Sequence, residues 1–120
     1  MSQPESKLSR AIMAELRARG IWCFKIHGGP TMQAGLPDIM ACVPVACTVD
    51  YGSHVDDAYL GTLVGFETKT ATGGDPTPIQ RRVHERITEA YGRVFVVRSV
   101  QDAVDALHTI GGWIGPRDDG

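Results

Sequence analysis

Apolar residues recur at two different spacings along the chain, and the change of spacing separates helices from strands. Leu8, Ile12 and Leu16 lie four residues apart, which predicts an amphipathic helix that ends at Gly20. Residues 21–26 form a short apolar and aromatic run before a glycine pair, which predicts a first strand. We expect the tryptophan of this run to lie in the core.

The later part of the chain contains further runs of both kinds. Three more strands are predicted, at residues 39–45, 62–70 and 94–97. Two more helices are predicted, at residues 78–91 and 99–107, with Thr77 and Ser99 as their N-caps. Residues 47–61 show no sustained period, which indicates an excursion between strands, either irregular or built as a long hairpin.

The predicted order is helix, three strands, helix, strand, helix. Three consecutive strands favour an antiparallel meander, and the helix at 78–91 can carry the chain over one face to a fourth, parallel strand. We therefore expect an α/β (α+β) fold with a mixed four-stranded sheet flanked by helices. At 120 residues the chain has the length of a single domain, with a core over about 5–107 and a Gly-rich, acidic tail over 108–120.

Composition places the chain among ordinary globular proteins, with 42% apolar and 22% charged residues. No segment has the apolar length of a membrane span, and the first residues lack the pattern of a signal peptide, so we expect a cytoplasmic protein. Cys23, Cys42 and Cys47 lie in apolar runs, which favours reduced, buried thiols. Their spacing to His54 does not match a zinc site.

The net charge of −2 does not favour nucleic-acid binding, but the charge is unevenly distributed. Five arginines between residues 81 and 98, including Arg81 and Arg82, face only two glutamates in that stretch. Lys25 and His27 end the first strand beside the glycine loop, where a substrate phosphate could be bound. These four residues are our candidates for binding nucleic acid. A solvated helix face explains the arginines equally well, and Lys25 could simply lie along its strand.

Glu67 and Lys69 stand two residues apart in the third predicted strand, so both side chains point to the same side of the sheet. Alone, such a pair is a common ion pair of little energetic value. Asp38 opens the second predicted strand, and Gln80 begins a helix, where it also completes a capping box with Thr77. We expect these three segments to converge on one site.

Glu5 falls in the arc of the first helix that carries the apolar stripe, so we expect it to point into the protein, although an acid there also favours the helix dipole. Carboxylates 4 Å apart repel by roughly 4 kcal/mol at an effective dielectric near 20. Mg²⁺ or Mn²⁺, held by Glu5, Asp38, Glu67 and the carbonyl of Thr68, would remove that repulsion. Lys69 could then offset the charge of a phosphoryl transition state. The set predicts phosphodiester hydrolysis.

Three motifs in this order carry a family resemblance: Gly35-Leu36-Pro37-Asp38, Glu67-Thr68-Lys69 and Gln80. Together they resemble the PD-(D/E)XK nuclease superfamily, and within it the VRR-NUC branch of small phage and bacterial nucleases. The segment at 92–97, which contains the fourth strand, and the final helix also match that branch, so the likeness covers nearly the whole chain. It implies a restriction-endonuclease-like core with Asp38, Glu67 and Lys69 as catalytic set, Glu5 as accessory acid and Gln80 as a feature of the branch.

The resemblance also implies a Mg²⁺- or Mn²⁺-dependent deoxyribonuclease of a bacterial or phage-infected cell, with DNA as partner and no organic cofactor. We expect an endonuclease for branched or otherwise structured DNA, similar to Holliday-junction resolvases, that pairs two sites as a homodimer. Two alternatives remain open. One is a nucleic-acid-binding module with weak or no activity, and the other is a restriction-type enzyme that reads a sequence through residues 47–61.

Overall fold

A computed structural model describes residues 4–29 and 32–111 of the chain. This part contains three helices, α1 (Pro4–Ala18), α2 (Pro78–Glu89) and α3 (Val100–Thr109). It also contains four strands, β1 (Trp22–Lys25), β2 (Ile39–Asp50), β3 (Val55–Thr68) and β4 (Arg93–Val97). The last helix, predicted to end at 107, continues to Thr109, and residues 112–120 of the predicted tail lie outside the described part.

The strands form one mixed sheet in the order β1-β2-β3-β4, as the sequence predicted. Both β1–β2 and β2–β3 are antiparallel, while β3 and β4 are parallel and connected through α2. No helix in the described ranges is long and apolar enough to cross a membrane.

The core lies between one face of the sheet and helices α1 and α3. From the helices it contains Ile12, Leu16 and Leu107, and from the strands Val64 and Phe66, all essentially inaccessible to solvent. The stripe on α1 is inward-facing, as its spacing predicted. The helix ends because Gly20 adopts a positive φ of 78°, which few other residues tolerate.

The opposite face carries α2. Glu67 follows Phe66 in β3, so its side chain points away from the main core, and His84 of α2 contacts it there. The approach to α2 requires Gly35, which has φ +88° and whose missing Cβ would lie 2.8 Å from the carbonyl oxygen of Ile79. This close contact holds the loop that leads into Asp38 against the start of α2.

The excursion predicted for residues 47–61 is a long hairpin. β2 and β3 continue as paired strands to a turn at residues 51–54, well beyond their predicted ends. The β3 arm is exposed over residues 55–61 apart from Ala58, so no buried positions mark it in the sequence. The β2 arm alternates between half-buried Val45, Cys47 and Val49 and exposed residues. Pro44 lies where β2 has passed the end of β1, on a local edge that needs no amide donor.

Two expectations about burial are wrong. Trp22 is 67% exposed because Ile21 and Cys23 take the inward positions, and its ring lies against Phe24 with centroids 5.1 Å apart. Of the three cysteines, all free thiols, only Cys23 is buried, while Cys42 is exposed. Alternation along each strand, rather than residue type, decides which side chain is inside.

Candidate active site

The register of β2 against β3 places Asp38 and Glu67 opposite each other. Ile39 pairs with Phe66, so the preceding acid and the following acid occupy the next position along the two strands. The backbone N–H and the hydroxyl of Thr68 both donate to Oδ2 of Asp38, at 2.7 and 2.8 Å. These two bonds fix the carboxylate of Asp38 at the end of β3.

The pKa values of the two carboxyl groups are shifted in opposite directions. Glu67 is only 2% exposed, and burial, followed by the adjacent Asp38, raises its pKa from 4.5 to about 8. Burial alone would also raise the pKa of Asp38, but hydrogen bonds from Glu67 and Thr68 and the charge of Lys25 hold that pKa below its ordinary value. At neutral pH the pair therefore holds one proton on Glu67 and a negative charge on Asp38.

A chain of buried hydrogen bonds leads from α1 and β1 to this pair. The ammonium of Lys25 donates to the Ser9 hydroxyl at 3.0 Å, and Ser9 Oγ lies 3.2 Å from the Thr68 hydroxyl that bonds Asp38. Sequence reasoning missed Ser9. Its signal was a polar residue three positions before Ile12, inside the apolar stripe of the first helix.

Lys69 and Gln80 meet across the loop between β3 and α2. Gln80 Oε1 accepts from Lys69 Nζ at 3.4 Å and from the backbone N–H of Thr77 at 2.8 Å. The Thr77 hydroxyl in turn accepts from the N–H of Gln80, so the predicted capping box is present. A carbonyl oxygen has two lone pairs, and Gln80 uses them for the helix cap and for the lysine together.

Arg98 holds the loop that separates Lys69 from α2. Its guanidinium donates to the carbonyl oxygens of Thr70 and Gly73, both at 2.8 Å, and of Gly74 at 3.3 Å. The sequence analysis counted this arginine in a locally positive stretch, and in the structure it orders a turn. The spacing between Lys69 and the start of α2 is thereby fixed.

His84 faces Glu67 from α2. One turn beyond Gln80, a histidine can line the site or lie in water, and the sequence favoured water. The side chain of His84 is instead only 13% exposed, and its Nε2 lies 3.4 Å from Oε1 of Glu67. Burial, and then the charge of Lys69, lower the pKa of His84, which favours the neutral imidazole. The expectation that His84 lies in water is therefore wrong.

Glu5 is exposed in the first turn of α1, so the expectation that it turns away from solvent is wrong. An acid so early in a helix remains close to water even in the arc of the apolar stripe. Its charge still contributes, after larger effects, to raising the pKa of Glu67. The structure thus brings Glu5 within electrostatic range of the carboxyl pair.

The candidates for nucleic-acid binding differ in their exposure to solvent. Lys25 is half-buried by its bond to Ser9, whereas His27, two residues later, is exposed. Arg81 and Arg82 are exposed on α2, directly after Gln80. Three of the four side chains are therefore accessible to a ligand.

The donor set fits a hard divalent cation held largely by water. No group of three or more His, Cys, Asp or Glu side chains in residues 4–29 and 32–111 is arranged to hold a metal. Mg²⁺ commonly uses only one or two protein carboxylates and keeps several waters. Asp38 and Glu67 are such a pair, because their carboxyl groups are hydrogen-bonded to each other and Glu67 is buried. A cation there would replace the proton that Glu67 now holds.

The structure was compared with known proteins. A solved structure described as a VRR_NUC domain superposes with a TM-score of 0.61 and 23% sequence identity, over 90% of this chain and 97% of that one. The chain has a VRR-NUC fold. No protein-family model matches the sequence, and neither does any curated protein.

The VRR-NUC resemblance inferred from three short motifs is thus confirmed at the level of the fold, as is the mixed four-stranded sheet with helices on both sides. At this identity the likeness concerns the arrangement of the backbone. The chemistry must be argued from the side chains gathered at the end of β3.

Proposed function

We propose that this chain is a metal-dependent endonuclease that hydrolyses phosphodiester bonds in DNA. The main support is the site itself: Asp38 lies next to Glu67, close to Lys69, and Gln80 is hydrogen-bonded to that lysine. The VRR-NUC fold supports the same function. Stability alone does not explain this set, because it includes a buried acid whose ionisation is strongly opposed.

Mg²⁺ or Mn²⁺, bound by Asp38, Glu67 and the backbone carbonyl of Thr68, would polarise the scissile phosphate and lower the pKa of the attacking water. Asp38 is already ionised and held by two donors from Thr68, so this ligand is pre-arranged. Glu67 must lose its proton when the cation binds. Glu5, exposed and more distant, adds negative charge that favours a cation at this place.

Lys69 supplies the positive charge for the reaction. Its ammonium lies on the same strand end as Glu67 and is held by the amide oxygen of Gln80 at 3.4 Å. A positioned ammonium can hold the attacking water and offset the charge that develops on the phosphate oxygens. Gln80, being fixed by the helix cap, limits the positions that this ammonium can take.

We propose Lys25, His27, Arg81 and Arg82 as contacts for the DNA backbone. An ammonium has three donors, and Ser9 accepts from only one of those of Lys25. We further propose that branched or structured DNA is the preferred substrate and that two copies pair to place two sites on it. The restriction-type alternative is less favoured, because residues 45–62 carry three aspartates and no lysine or arginine.

The test is a cleavage assay with the full chain over a panel of substrates: supercoiled plasmid, linear duplex, a four-way junction, single-stranded DNA and RNA. Each is incubated with Mg²⁺, with Mn²⁺ and with EDTA. Lys69→Met should lose at least roughly 100-fold in rate. Lys7→Met, the same change at an exposed position of α1, is the matched control and should cut like the parent.

The outcomes separate the competing functions. Metal-dependent cutting that is strongest on the junction supports the proposal in full. Intact nucleic acid in every metal, together with DNA retardation in a gel, would indicate a binding module. Cutting in EDTA would refute the role of the metal, and cutting at one repeated sequence would indicate a restriction-type enzyme.

A further inference from the structure

One face of α2 lies against both functional side chains at the end of β3. Gln80 Oε1 lies 3.4 Å from Lys69 Nζ, and one turn later His84 Nε2 lies 3.4 Å from Glu67 Oε1. The helix thus contacts the lysine through an amide and the acid through an imidazole.

The spacings of the two elements make this double contact possible. Residues four apart on a helix are separated by about 6 Å along its axis, and residues two apart on a strand by about 7 Å. A helix that runs along the strand end can therefore match positions 80 and 84 to positions 69 and 67. The loop held by Arg98 fixes the helix at the required place.

The contact between His84 and Glu67 is not an ordinary stabilising bond. Both Nε2 of His84 and Oε1 of Glu67 are buried, and neither has a hydrogen-bond partner within the described residues. Buried polar atoms left in this way lower the stability of the fold, typically by about 1–3 kcal/mol each. A leucine or methionine at position 84 would pack on α2 without that cost, so the imidazole requires another explanation.

We propose that His84 is a positioning residue for Glu67: its Nε2–H donates to Oε1 of Glu67 when the divalent cation binds the other carboxylate oxygen. This inference rests on the proposed function, because it needs a cation at the Asp38–Glu67 pair. Side chains that orient a metal-binding group from behind are a general feature of metal sites. His84 approaches Glu67 at Oε1 and is itself largely removed from solvent.

Direct binding of Mn²⁺ to the full chain without DNA, measured by isothermal titration calorimetry, tests the proposal. His84→Leu should raise the Mn²⁺ dissociation constant roughly 10- to 100-fold. His84→Gln, whose amide nitrogen reaches the place of Nε2, should bind nearly as the parent does, whereas the shorter His84→Asn should bind weakly. His108→Leu, at an exposed position of α3, is the matched control and should not change the constant.

Thermal unfolding in EDTA separates positioning from a structural role. Without metal, His84→Leu should melt at or above the temperature of the parent, since it removes an unpaired buried atom. A lower melting temperature with an unchanged Mn²⁺ constant would overturn the inference, as would equal affinities of the Gln and Asn variants. If the parent itself bound no Mn²⁺, the proposed function would fail as well, so the two failures are distinguishable.

Discussion

The proton on Glu67 makes a measurable prediction about the stability of the metal-free protein. The pKa of this carboxyl is 4.5 in the unfolded chain and about 8 in the fold. The folded state therefore binds the proton more tightly than the unfolded state. Its contribution to stability is complete below pH 4.5 and is lost as the pH rises through 8. Glu67→Gln keeps the shape and the hydrogen-bonding capacity but removes this titration.

The size of the effect follows from the two pKa values. One pKa unit corresponds to about 1.4 kcal/mol, so the whole interval amounts to about 5 kcal/mol as an upper bound. His84 acts in the opposite sense below its ordinary pKa of 6.5, because burial lowers that pKa. Asp38, with a lowered pKa, acts only around and below 3.8. The interval from pH 6.5 to 8 is therefore the cleanest, and there we expect the parent to lose about 2 kcal/mol.

Urea unfolding at pH 6.5 and pH 8, in EDTA, gives both free energies for the parent and for Glu67→Gln. The parent should lose stability over this interval, while the variant should show little change. Saturating Mg²⁺ should offset the loss in the parent alone, because it binds the ionised carboxylate. Equal slopes for the two proteins, or a parent that gains stability toward pH 8, would refute a buried, protonated Glu67.

Two further substitutions test the surroundings of the site. Ser9→Ala interrupts the hydrogen bonds that lead to Asp38, so it should lower the unfolding free energy by about 1–3 kcal/mol and slow cleavage. Ser6→Ala, at an exposed position of α1, is the control and should change neither quantity. Equal denaturation midpoints and cleavage rates for the two variants would contradict this prediction. Gly35→Ala should lower the melting temperature strongly, because its φ is +88° and its Cβ would collide with α2, while Gly28→Ala meets open space and should melt normally in the same calorimetric scan.

The fold was predictable because its main signals are local. The stripe of Leu8, Ile12 and Leu16 reflects burial of one helix face, and the capping box at Thr77 marks the start of α2 whatever surrounds it. Asp38 and Glu67 could be placed together because Asp38 comes just before one apolar strand and Glu67 lies near the end of the next, antiparallel one. An element with one buried face shows that face in the sequence as a regular spacing of apolar residues.

The remaining features depend on contacts between distant segments. Whether His84 is buried depends on how α2 lies on β3, and Ser9 becomes part of the site only because Thr68 lies beneath it. The β3 arm of the outer hairpin is exposed over residues 55–61 apart from Ala58, so that arm leaves no periodic signal. Trp22 has a side chain typical of a core, but it alternates with the inward-facing Ile21 and Cys23 and therefore points outward.

The long hairpin also bears on the accuracy of the site. Twelve consecutive pairs, from Ile39–Phe66 to Asp50–Val55, join β2 and β3 without a bulge. Slippage by a single residue would turn the carboxyl of Glu67 toward the hydrophobic layer and away from its partner acid. The turn at residues 51–54 fixes which residues of the two arms pair, so a segment far from the two acids sets their alignment. Removing one residue from one arm would disturb the acids more than shortening both arms equally.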